Sequence, residues 1–339
     1  MMVKTAPRQA EPSEDPAVAR PPRRAAVAAA LPRYALLLVA VAFFVGFSAA
    51  LPSTYATAAN VRSMLSTEAI PLLLTLAVLF PLRSGDFDLS VAANMVFCSA
   101  LLGVMTTKHG LGAVEGVVLV LLVGTAVGAL NAFFIVILEI NAFIVTLGAM
   151  TVLDGLSFGI TGGNVVVGLP PGLLSFGRDQ VASLPLAVIY GWVLALVVWY
   201  VFELTPLGRF LLFVGGNRDA ARLSGVPVRT TRFVAFAVSG LLSGFAGVIL
   251  AARFGSVDPT VSASFLLPPY AAAFLGTTAV QIGRFNVAGS LIGAYLLIFG
   301  ITGLLLEGAA PWVSDVFNGG ALIAAVTFAR VVGRRGEGG

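Results

Sequence analysis

Polar residues fall in a few short clusters along this chain, and long apolar blocks separate them. The blocks do not alternate: Val117-Val118-Leu119-Val120-Leu121-Leu122-Val123 is apolar at every position. A β-barrel span would be short and alternating. A helix that crosses the hydrocarbon core needs about 20 mostly apolar residues, and several blocks reach that length. The pattern predicts helical spans over residues 34–52, 67–82, 90–107, 112–138, 142–160, 183–204, 233–251, 266–280, 285–305 and 312–330. The fold class is therefore an all-α polytopic membrane protein of about ten spans, some of them short or broken. The second and eighth are short and interrupted by Pro71, Pro81, Pro268 and Pro269. Broken spans in transporters often line the substrate path, although a kinked packing helix has the same pattern.

Composition agrees with the pattern. Of 339 residues, 58% are hydrophobic and 11% charged, with a mean hydropathy of +0.98; soluble domains carry about 25% charge. Cys98 is the single cysteine, which excludes an intrachain disulfide, and His109 is the single histidine. They lie in separate blocks, so no metal site is expected; Cys98 reads as a small packing residue and His109 as a solvated loop residue. The lysines, Lys4 and Lys108, are not in a GxxxxGK[ST] context. No cofactor is expected, and if ATP drives this protein another subunit binds it. The basic balance does not argue for nucleic acid, because surplus Lys and Arg in a membrane protein mark its cytoplasmic side.

The charges orient the spans. Residues 1–33 are polar, contain Lys4, Arg8, Arg20, Arg23, Arg24 and Arg33, and read as a disordered cytoplasmic tail. A cleaved signal peptide would turn apolar sooner, whereas here the first apolar run starts at Tyr34 and is long enough to span. With both termini inside, the outside holds only Arg62, Lys108, Arg178 and Arg253 of the 20 Lys and Arg residues. That distribution follows the positive-inside rule. The transmembrane domain is then 34–330, residues 205–232 form a long cytoplasmic loop, and 331–339 are a second cytoplasmic tail. The outer loops are short except for 161–182, so nothing outside is large enough to capture a solute alone.

The long loop carries helix signals of its own. In Gly215-Gly216-Asn217-Arg218-Asp219-Ala220-Ala221-Arg222-Leu223-Ser224-Gly225, Asn217 is placed to cap the unpaired N–H groups of a first turn. Ala220, Ala221, Arg222 and Leu223 are good helix formers. Gly225 suits a left-handed helix end, and Pro227 blocks continuation. The product is a capped helix of about two turns, too short to be stable alone in water, so it is expected to dock on something. Ala220 and Leu223, three apart, share a face.

Polar residues near or inside the spans are the other candidates. In Gly85-Asp86-Phe87-Asp88-Leu89-Ser90-Val91, Asp88 and Ser90 stand at a membrane edge, where they could cap an entering helix. Asn131 and Thr146 lie in apolar surroundings and need partners on other helices or a cavity. Interhelical bonding is the simpler reading; contact with a hydroxyl-rich solute is the other. Asp154 is the one carboxylate well inside an expected span, which points to a cavity or a partner.

Together these segments resemble the permease subunit of sugar-type ABC importers, the ribose, xylose, arabinose and galactoside group. A GGIDLSVG-like signature matches Gly85 to Val91, with Asp86 in place of the second Gly. An NPFIVTLG-like stretch matches Asn141 to Gly148, including Phe143 and Thr146, with Ala142 in place of Pro. A TGG turn matches Thr161-Gly162-Gly163. A TxxGRxxxAxGGNxxAAxLSGI segment matches Thr205 to Val226, and Gly283-Arg284 matches the Gly-Arg of a late GGRG-type segment. The resemblance covers about residues 65–330. Two departures are Asp154, where many relatives have Arg, and Gly276-Thr277-Thr278-Ala279 in place of GGTS.

The resemblance implies that the helix around Gly216, Asn217, Asp219, Ala220, Ala221, Arg222, Leu223, Ser224 and Gly225 couples to an ATPase. It also implies a substrate pathway, for which Asp88, Asn131, Asn141, Phe143, Thr146 and Asp154 are the candidates. Expected partners are two ABC ATPase subunits, or one tandem ATPase chain per permease dimer, an extracytoplasmic sugar-binding protein, and a second permease copy as homodimer or heterodimer. The implied place is the inner membrane of a bacterium, and the chain itself does no covalent chemistry. An importer of the same architecture for branched-chain amino acids or nucleosides is the near alternative. An ion-driven transporter would want several buried acids or histidines, and a membrane enzyme would want clustered reactive groups.

Overall fold

The computed structural model describes residues 23–336, with side chains from Arg33 to Phe328. The first five apolar blocks become α1 (Arg23–Ala50), α2 (Ala58–Arg83), α3 (Val91–Thr107), α4 (Ala113–Ala132) and α5 (Ala142–Thr161). Next come α6 (Pro171–Arg178), α7 (Leu186–Leu204), α8 (Pro206–Gly216) and α9 (Arg218–Leu223). The chain ends with α10 (Val228–Phe254), α11 (Leu267–Gly276), α12 (Val287–Leu306) and α13 (Val313–Gly336). Among the described residues, 7 helices are long and apolar enough to cross a membrane. The other three expected spans correspond to the shorter apolar helices α3, α11 and α13. Of the expected N-terminal tail, residues 1–22 lie outside the described residues and 23–33 belong to α1. Residues 331–336 of the second expected tail continue α13, and 337–339 lie outside.

The second span is not short. α2 runs unbroken for 26 residues with Pro71 and Pro81 inside it, and 83% of its apolar window is buried. A proline removes one helix N–H, and a helix enclosed by neighbours tolerates that loss better than one facing lipid. The eighth span is broken, as expected: a 3₁₀ turn at Val261–Phe265 leads into α11, only 10 residues long, with proline in its first turn.

Small residues set the closest packing. Gly124 and Gly128 of α4 lie against Gly240 and Gly244 of α10 so closely that a Cβ on Gly240 would strike the Gly124 carbonyl. The Asn94 amide of α3 donates to the carbonyls of Gly124 (3.3 Å) and Gly240 (3.2 Å). Close backbone approach sealed by a side-chain amide is how helices associate where burial of apolar surface gives little drive.

The connections gather at the two ends of the bundle in alternation. At one end, β1 (Val166–Val167) precedes a hairpin of β2 (Gln180–Val181) and β3 (Leu184–Pro185), and β1 pairs antiparallel with β4 (Ser256–Val257). Arg178 adds bonds to the carbonyls of Arg253 (2.9 Å) and Phe254 (2.7 Å). The opposite end brings together the α2–α3, α4–α5 and α7–α10 connections, and the candidate site lies there.

Candidate functional site

The segment read as one long loop, 205–232, is mostly helical: α8, α9 and the first turn of α10 occupy it. Thr205 breaks from α7 in extended geometry, and Pro206 opens α8 from its first turn, where its missing N–H costs nothing. Gly215 at the end of α8 packs on α2 so tightly that a Cβ there would strike the Arg83 carbonyl, whereas Gly216 faces open space. Gly215, rather than Gly216, is therefore the position that requires glycine.

α9 forms as its caps dictate. The Asn217 carboxamide oxygen accepts from the N–H groups of Asp219 and Ala220, both at 3.0 Å. Ser224 closes the other end by donating to the Ala220 carbonyl at 2.9 Å, and Gly225 turns away at φ +80°. Ala221 is buried with Val214 and Val228 and holds the helix down. Ala220 and Leu223 face outward together, Leu223 with 90% of its surface free.

Asp86 ties this helix to the bundle. Its buried carboxylate accepts from Arg218 of α9 at 2.8 Å and from two nitrogens of Arg232 of α10 at 2.7 and 2.9 Å. Arg218 also donates to the Gly85 carbonyl at 3.2 Å. Neither Asp86 nor Arg218 nor Arg232 stood among the candidates. The available signal was Asp86 itself, a charge where the resembling pattern has glycine.

Two residues on, Asp88 is buried in a different setting. One carboxylate oxygen accepts from the Ser90 hydroxyl (2.6 Å) and backbone N–H (3.2 Å), the other from Ser239 of α10 (2.8 Å). Ser90 in turn accepts from the Asn131 amide of α4 at 2.9 Å. Tyr270 of α11 donates to the Asp88 carbonyl at 2.7 Å. The Ser90 side chain does not cap α3; its hydroxyl is taken up by Asp88 and Asn131. Between the two aspartates, Phe87 stacks with Tyr270 and Phe274, ring centres 6.1 and 6.2 Å away.

A cavity of about 700 Å³ opens beside α9 and takes its walls from all three motifs: Asp86 and Phe87, Asn141 and Phe143, and Arg218 and Arg222. Its α4–α5 wall begins with a π-helical turn at Phe133–Ile137, a local form frequent at functional sites. Glu139 follows in left-handed geometry at φ 57°, and Asn141 caps α5 by accepting from the Phe143 N–H at 2.9 Å. Stretches about 50 residues apart or more in sequence thus face one cavity.

A family model described as the branched-chain amino acid transport system / permease component matches residues 60–326. The chain belongs to that family of permeases. This permease is 32% identical over 273 residues to the ribose import permease protein RbsC of Bacillus subtilis, 80% of this chain and 84% of that one. It is 30% identical to the L-arabinose ABC transporter permease protein AraH of Azospirillum brasilense, covering 95% and 94% of the two chains. It is 29% identical to the D-allose transport system permease protein AlsC of Escherichia coli, covering 88% and 91%. No solved structure matches. The permease is a transport subunit rather than an enzyme, and a multi-pass protein of a bacterial inner membrane.

The remaining candidates sit farther along α5. Thr146 is fully buried, and its hydroxyl donates to the Ala142 carbonyl of its own helix at 2.8 Å. Asp154 is half-buried, and one carboxylate oxygen has no hydrogen-bond partner among the described residues. Neither lines the cavity.

Proposed function

We propose that this permease imports a monosaccharide delivered by an extracytoplasmic binding protein. Two ATPase subunits, or one tandem ATPase chain per permease dimer, hydrolyse ATP beneath it, and a second permease copy completes the pathway. The observation that carries this reading is α9. A doubly capped helix of 6 residues, held down by Ala221 and presenting Ala220 and Leu223 to the outside, is built to be grasped by another protein. It lies among the arginines Arg218, Arg222, Arg229 and Arg232, which the charge distribution assigns to the cytoplasm. Ribose, arabinose and allose in the relatives' names favour a sugar over the branched-chain amino acids of the family's description.

Asn141, Phe143 and Asp154 follow α5 from the cavity upward, and we assign this helix to the substrate path. Asp88 and Asn131 have their polar groups taken up by protein, so their assigned role is to join spans.

The test is the reconstituted complex of permease, ATPase and binding protein in vesicles, offered labelled ribose, arabinose, allose and leucine. ATP-dependent uptake of a sugar is expected; uptake of leucine alone overturns the substrate class. Leu223→Asp would bring an unpaired charge into the ATPase contact, at a cost of several kcal/mol. That variant is expected to insert normally and to lose the ATPase on purification. Retained ATPase with full transport would remove α9 from the mechanism.

A further inference from the structure

The Asp86–Asp88 segment touches both the exposed helix α9 and the interior of the bundle, and its bonds run in two opposite directions. On one side, Asp86 joins Arg218 of α9 to Arg232 of α10. On the other, the Asp88 carbonyl takes the Tyr270 hydroxyl of the broken helix α11, and its carboxylate reaches Ser239 in the middle of α10. Phe87 lies between, stacked against two rings of α11. No flexible stretch separates these contacts: they fall on three consecutive residues.

We infer that this segment is a relay carrying displacement of α9 to α11 and the spans, with Asp86 the positioning residue that fastens the relay to α9. The inference rests on the reading of α9 as the ATPase contact. Charge-assisted bonds are short and strong, and the attraction between full charges persists as the partners shift, so a movement of α9 pulls Asp86 along with it. Asp86 is the most buried of the three ionic groups, with its side chain 5% exposed, against 12% for Arg232 and 40% for Arg218. Its charge is thus held where both guanidinium groups must come to it. At the far end, α11 is the shortest of the span helices and is preceded by a 3₁₀ turn. A short, interrupted helix is an element suited to moving as a piece.

The pattern that this chain resembles has glycine where Asp86 stands. The clamp is therefore an addition to the contact that Gly215 of α8 makes with the Arg83 carbonyl. The two links predict a graded response rather than an all-or-none one.

The experiment compares wild type with Asp86→Asn, Asp86→Glu, Asp86→Gly and Arg218→Gln in the full complex with ATPase and binding protein. The readouts are ATPase co-purification and stimulation of ATP hydrolysis by the binding protein. Asp86→Asn is expected to keep the ATPase bound while the stimulation falls about tenfold, in the usual range of a coupling between distant sites. Asp86→Glu recovers most of it, and Asp86→Gly keeps a residual stimulation through Gly215. Arg218→Gln, at a partly exposed residue that leaves the interior untouched, falls in the same direction should Asp86→Asn fail to fold. Wild-type stimulation in both Asp86→Asn and Arg218→Gln overturns the relay alone. Loss of the ATPase from the Asp86→Asn complex overturns it too, since the clamp would then shape the docking surface and transmit nothing. A wild-type permease that never retains the ATPase overturns the reading of α9 and the relay with it.

Discussion

Asp86 and Asp88 are the same residue type one phenylalanine apart, both buried, and the fold satisfies them in opposite ways. Asp86 has full opposite charges, two guanidinium groups carried by different helices. Asp88 has the hydroxyl and backbone N–H of Ser90 in its own turn and the hydroxyl of Ser239 on α10. An ion pair keeps its attraction as its partners shift, because Coulomb energy falls off only as the inverse of distance. A hydroxyl bond is lost within a fraction of an ångström and holds its partners in one arrangement. The difference places the adjustable contact next to the helix that another subunit would move, and the rigid contact next to the helices that must keep their register.

The largest effect is expected where the rigid contact is removed. Asp88→Leu leaves the buried Ser90 and Ser239 hydroxyls without their acceptor, at about 1–3 kcal/mol for each unpaired group. Thermal unfolding of the purified permease should drop sharply and folded yield should fall. A variant as stable as wild type would mean that Asp88 does not hold the spans together, and the contrast with Asp86 would collapse.

Within the clamp the two arginines should separate. Arg232 binds Asp86 through two bonds and is nearly buried, whereas Arg218 binds through one and is substantially exposed. Arg232→Gln is expected to lower stability by about 1.5–3 kcal/mol, the worth of a hydrogen bond to a charged group. Arg218→Gln should cost about 0–1 kcal/mol, as solvent-exposed pairs do. Denaturant unfolding of the two variants decides this. Equal losses would show that the clamp acts as one structural unit with no softer side toward α9.

Much of this architecture was legible from residue order, and what was missed has a physical reason. Apolar blocks gave the spans because the bilayer imposes length, and the caps of α9 were readable because capping is local: Asn217 acts two and three residues along. The unbroken course of α2 through two prolines was not, since it depends on neighbours that enclose it. Nor was the pairing of Asp86 with Arg218 and Arg232, separated by 132 and 146 residues. Asn141 and Phe143 stood as pathway candidates through the resemblance alone. Only the gathering of connections at one end of the bundle places them opposite α9.

The smallest expected effect is also the finest probe of the comparison. Ser239→Ala deletes one donor to Asp88 and leaves the Ser90 hydroxyl and N–H in place. The net loss should be about 0.5–1.5 kcal/mol, the contribution of an ordinary hydrogen bond whose acceptor keeps other partners. Because Ser239 bonds the carboxylate and not the carbonyl that meets Tyr270, the path from Asp86 to α11 stays intact. Ser239→Ala should therefore reduce stability slightly while binding-protein stimulation of the ATPase stays at the wild-type level. A loss of stimulation without a loss of stability would move Ser239 from the rigid side of the comparison to the moving one.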